Sequence, residues 1–137
     1  MAIGMNTSLR NARAQKIVDA LDAGNGGNGL GQFNFYDGTR PATGGLVTGL
    51  LAELVLQNPS ASVTNGVITF NSITDDVSAN ANGTIKWGRL TDSDGTFVMD
   101  VSCGITGSGA DVIFNTTTAK VGGAVQIISA TITEGGA

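Results

Sequence analysis

The chain has 137 residues, a formal net charge of −4 and no histidine, which fits one domain and argues against nucleic acid as the main partner. Charged residues make up 13% of it, against ~25% in typical soluble domains, so its surface must rely on Ser, Thr, Asn and Gly, short groups that desolvate cheaply against a neighbour. Without histidine, the commonest general base, the Ser-His and Cys-His nucleophile pairs and most transition-metal sites are missing, and one cysteine, Cys103, supports neither an internal disulfide nor a zinc framework.

The first predicted element is a helix. Asn6, Thr7 or Ser8 can cap it. Leu9, Ala12, Ile17, Ala20 and Leu21 then recur at helical spacing. Arg10, Arg13 and Lys16 form a basic flank, and Ala23-Gly24 supplies a stop. No basic segment followed by an apolar run opens the chain, and no apolar run approaches the ~20 residues of a membrane span. The expectation is therefore synthesis and folding in a cytoplasm, with no membrane partner.

Residues 24–31 read GNGGNGLG, the composition of a flexible linker. They also spell G-x-G-x-x-G at Gly24, Gly26 and Gly29. The dinucleotide fingerprint needs a strand before it and a helix after it; here the order is reversed, and no cofactor is expected. The linker divides the chain into an N-terminal arm, 1–31, and a β domain, 32–137. A helix this short is marginal alone in water. A tethered helix of this kind is expected to dock, at least in part, on a neighbouring subunit through Leu9, Ile17, Val18 and Leu21, with Arg10, Arg13 and Lys16 facing acidic groups.

Beyond the linker, short segments of β character alternate with turn residues. The predicted strands are Gln32–Tyr36, Leu50–Leu56, Gly66–Phe70, Thr84–Leu90, Phe97–Val101, Ala110–Asn115 and Val125–Thr133. Alternation puts Ile85, Trp87 and Arg89 on one face. Leu54, Trp87, Phe97, Phe114 and Ile127 are expected in the core. The last segment is partly apolar on both faces, the mark of a central strand. Asp92-Ser93-Asp94-Gly95 reads as a hairpin turn with Gly95 at positive φ, and residues 37–45, with one Pro and three Gly, as a longer loop. Strands at this spacing predict a mainly β fold, an antiparallel two-sheet sandwich or jelly roll carrying one N-terminal helix on the Gly-rich linker.

The remaining candidates for chemistry are few. Asp75 and Asp76 are adjacent, and neighbours in extended chain point to opposite faces, which suits a catalytic pair badly. Asp92-x-Asp94-Gly95 resembles the start of a Ca²⁺ loop, but the twelfth position is Cys103 where a bidentate carboxylate is needed; no metal is expected. Glu53 interrupts an apolar strand, as an edge or subunit contact would explain. Together with Arg40 in the long loop it joins the candidate contact residues. Trp87 beside Tyr36 or Phe33 could form a sugar-stacking platform, which keeps a carbohydrate-binding module open as an alternative. Nothing here composes an enzyme.

Five segments taken together, SLRNARAQKIVDAL, YDGTRPATGG, LLAELVLQNP, ANGTIKWGRLTDSDG and GGAVQIISATIT, resemble small virion proteins of tailed bacteriophages, and more narrowly the cement, or decoration, proteins that clamp the outside of a phage head. The resemblance runs over nearly the whole chain. It implies a jelly-roll-like β protein with no catalytic residues. Its partners would be the major capsid protein and other copies of itself, its place the capsid exterior, and its function to stabilise the shell. A tail or baseplate β subunit is the alternative within the same particle.

Overall fold

Helix α1 (Thr7–Leu21) begins where Asn6, in extended conformation, turns its side-chain oxygen onto the backbone N–H of Leu9 at 2.7 Å, satisfying one of the orphan donors of a helix start. The computed structural model describes residues 4–23, 30–73, 79–114, 116–125 and 127–133. The GNGGNG part of the linker, with the Gly24 stop, lies outside these residues, as do Asp75, Asp76 and Asn115.

Ala14, Val18 and Leu21 are the buried residues of α1, with Ile17 packed beside them. The apolar face is thus rotated from the expected one: Ala12 and Leu9 are exposed, Leu9 at 47%. Helix α1 packs on β3 (Ala61–Thr64) and β4 (Val67–Phe70), against Ala61 and Ile68, while Leu21 reaches the main core. The Asp22 carboxylate at its C-terminus accepts from Ser60 N–H at 3.1 Å, and Asn11 accepts from Gly66 N–H at 2.7 Å. Val18 and Leu21 therefore belong to this chain's own interior, which corrects their expected place on a partner-facing helix surface. Each contributes about 1.5–3 kcal/mol by burial, enough to hold a helix that cannot stand alone.

The other described strands are β1 (Gln32–Tyr36), β2 (Leu50–Val55), β5 (Gly83–Thr84), β6 (Trp87–Thr91), β7 (Phe97–Ile105), β8 (Val112–Phe114), β9 (Thr118–Ala119) and β10 (Ile127–Thr133). In place of two facing sheets, eight strands form one sheet in the order β2-β1-β6-β7-β8-β10-β4-β3, and β5 pairs with β9 apart from it. The fold is mainly β with one N-terminal helix. The expected antiparallel order holds except between β7 and β8, which run parallel, Cys103 opposite Val112. Parallel neighbours usually need a long crossover. Here residues 106–111 double back tightly, with Gly107 and Gly109 at φ of 88° and 77° and Asp111 pinned to Ser102 through its carboxylate and backbone N–H. The expected central strand, β10, does lie inside the sheet, between β8 and β4.

The sheet curls far enough for its concave face to make a core on its own. Phe35 of β1 meets Phe114 of β8 edge-on at 4.9 Å, and Phe33 meets Phe70 of β4 at 5.8 Å, although neither pair of strands is adjacent. Room for the two rings comes from Gly88, whose missing side chain would fall 2.8 Å from Phe35. The small β5-β9 ladder sends Ile85 and Ala119 into the same core. Ile85 therefore leaves the face it was expected to share with Trp87 and Arg89. Leu54, Trp87 and Phe114 are buried as expected; Ile127 is only partly so, and Phe97, at 36% exposure, is not.

Candidate interaction surface

The convex face of β1, β6 and β7 carries a second, polar and aromatic cluster. Tyr36 and Trp87, opposite each other across β1 and β6, stack at 4.5 Å with an interplanar angle of 20°. The Arg89 guanidinium lies 5.4 Å from the Trp87 ring and 4.9 Å from the Phe97 ring, within the range of cation–π attraction. Its Nε and Nη2 donate to Asp100, the cross-strand neighbour on β7, at 2.7 and 3.1 Å. The Asp100 hydrogen bond, more than any other influence, holds the Arg89 pKa above its usual value. Burial raises that of Tyr36, partly offset by Arg89 and by a hydrogen bond from Asn34.

This cluster has a cover. Residues 37–49 cross over it as a strap, closed at its base by Asp37 N–H donating to Gly49 O at 3.2 Å and turned midway by Gly45 N–H donating to Ala42 O at 2.7 Å. Arg89 Nη1 donates to Gly45 O at 2.8 Å, and Gly44 N–H donates to Asp100 at 3.4 Å. The residue after Gly45 is Leu46, which is 95% exposed; Val47 and Phe97 are partly exposed, and the Phe97 ring lies 3.6 Å from where a Cβ on Gly44 would stand. Every residue of β6 is buried, because its inner face meets the core and its outer face meets the strap.

The candidate contact residues scatter. Arg13 and Lys16 are at the surface of α1, and Ile17 is half-buried. Arg10 is half-buried, its guanidinium 2.8 Å from where a Cβ on Gly66 would stand, so it serves the contact between α1 and the β3-β4 turn. Arg40 is exposed on the strap, and Glu53 is exposed on β2, a terminal strand of the sheet. The Trp87–Tyr36 pair offers no open stacking platform: both rings are buried, one face of each taken by the other. Phe33 is in the core on the opposite side.

Asp92 forms the expected hairpin turn. Its carboxylate accepts from the N–H groups of Asp94 and Thr96 at 2.9 and 3.0 Å, with Gly95 at φ 85°. Among the described residues no group of three or more metal-ligating side chains converges, and no helix is long and apolar enough to cross a membrane. The strap cluster is not legible from periodicity, because it depends on a loop meeting a strand face some forty residues on. Its one sequence signal is Arg89 alternating with Trp87 on a β segment. Compared with protein-family models, curated proteins and solved structures, the chain matches none of them.

Proposed function

We propose that the chain is a structural subunit of a phage-like particle, which binds the outside of the capsid shell and cements neighbouring major capsid subunits. The observation that carries this reading is the strap: a nearly fully exposed leucine, Leu46, on a loop fixed by a buried ion pair. A single exposed leucine is ordinary on a protein surface. One whose backbone is held in place by Arg89 and Asp100 has the preorganisation that contact surfaces use to limit the entropy lost on binding. The low charge of the chain and its resemblance to decoration proteins support the same reading. A shell repeats its sites, so weak contacts gain from effective concentration when copies associate with one another on it.

The test is cosedimentation of the purified chain with empty heads that lack it, alongside tails as a comparison. Saturable binding to heads, with a rise in the temperature at which the heads disrupt, is the expected outcome. Binding to tails alone would place the subunit at the tail or baseplate instead.

A further inference from the structure

We infer that the attachment element is the strap 37–49, and that it inserts Leu46 into an apolar recess rimmed by carboxylates on the capsid protein of the shell. This rests on the function proposed above and names the part that carries it out. Closing a loop of this length costs little entropy beyond that of a shorter one, and a flexible Gly-rich loop would connect β1 to β2 without help. Instead Arg89 and Asp100 are removed from water, and both grip the strap at Gly44 and Gly45, immediately before Leu46. Buried ion pairs are poor sources of net stability, and their best-attested use is to specify one arrangement. The arrangement specified here leaves Leu46 in solvent.

Charge and shape favour a different protein over a second copy as the occupant. Arg40 is the one charged residue between 38 and 49, and it is exposed, so the receiving surface needs an acidic rim. A second copy fits poorly. Strap against strap sets Arg40 against Arg40 and one convex tip against another. Among the described residues, the recess between β4 and β10, lined by Thr69, Phe70, Asn71, Ile73, Ile127 and Thr131, presents no charged side chain to meet Arg40.

The experiment compares the intact chain with Leu46→Asp, Arg40→Glu and, as a control outside the strap, Val121→Asp, an exposed position at 64%. Each is titrated onto empty heads, with its melting temperature measured separately. The expected result is at least a tenfold loss of affinity for Leu46→Asp at unchanged melting temperature. Arg40→Glu should lose several-fold, with a weaker dependence on salt, and Val121→Asp should bind as the intact chain does. If Leu46→Asp binds heads as tightly as the intact chain, the strap is not the attachment element. If the intact chain binds no heads, the proposed function itself fails. If the intact chain self-associates in sedimentation and Leu46→Asp abolishes that while still binding heads, the strap serves copy-to-copy pairing and the inference is overturned.

Discussion

Arg89 and Asp100 make the interaction most sensitive to a single change. The Asp100 side chain is 3% exposed and that of Arg89 11%, so Arg89→Met leaves a carboxylate buried with neither its cation nor two of its hydrogen bonds. A loss of about 3–5 kcal/mol is expected, read as a lower urea midpoint. Adding Asp100→Leu to that variant should recover much of it, because the uncompensated charge is then gone. A separate lesion is available at Gly88, where Phe33 and Phe35 occupy the space of a side chain: Gly88→Val overpacks the core and should cost about 1–3 kcal/mol or more. Cys103 reports on pH. Burial, and then the nearby Asp111 carboxylate, push its thiol far above the ordinary range, so the folded chain keeps a proton that the unfolded chain gives up. Stability is therefore full below the ordinary thiol pKa of ~8.5 and declines as pH rises past it, with Tyr36, also raised by burial, adding to the decline at higher pH. Urea midpoints should be flat from about pH 6 to 8 and lower near pH 10, with a smaller drop in Cys103→Ala. Phe97 shows what alternation alone conceals. It sits at a strand start, opposite Thr91 on the outer side of the sheet, where its ring meets Arg89 and the strap instead of the core.

Helix α1 separates what spacing can decide from what only tertiary contacts can. Its existence and its Asn6 cap are legible from the sequence. Its buried face is not, because alanines and aliphatic residues fall on two sides of the helix, and Ile68 and Ala61 of the sheet select Ala14, Val18 and Leu21 over Leu9 and Ala12. The measurable consequence is an asymmetry. Val18→Asp should destabilise the chain by at least about 3 kcal/mol, whereas Leu9→Asp should stay within about 0.5 kcal/mol, both by urea unfolding. Removing residues 1–23 uncovers Ile68 and takes Leu21 from the main core, so the remaining chain should unfold at markedly lower urea. The hairpin of β3 and β4 carries its own signal: Asn65-Gly66, at φ of 52° and 75°, is a turn dipeptide whose twist matches the flanking strands. β3 is nonetheless absent from the expected strands, because ASVT is short and follows a proline-containing loop. The parallel pairing of β7 with β8 has no periodicity to reveal it, since two glycines and the Asp111–Ser102 bonds bring it about.

The whole molecule is assembled from distant partners. β1 pairs with β6 more than fifty residues later, and β4 with β10 about sixty residues later, so loop-closure entropy precedes most of the stabilising contacts. Refolding followed by the fluorescence of the single tryptophan should therefore fall in the millisecond-to-second range, and Gly88→Val should slow it further if the aromatic core forms early. The sequence predicts strands well and their arrangement poorly, because alternation reports which side of a strand is apolar and says nothing about which strand lies beside it. The curl of Phe33 and Phe35 onto β4 and β8 is such an arrangement. The sheet nevertheless stops short of closure, and its terminal strands are β2 and β3. An unclosed sheet can be extended by another chain's strand and so grow into fibres. Asn80 N–H donating to Leu51 O covers one end of the β2 margin, and Glu53, exposed in the middle of an otherwise apolar strand, sets a negative charge where a like margin would arrive. Glu53→Val should therefore leave the fold intact and yet scatter light on concentration, while Glu53→Lys should remain clear.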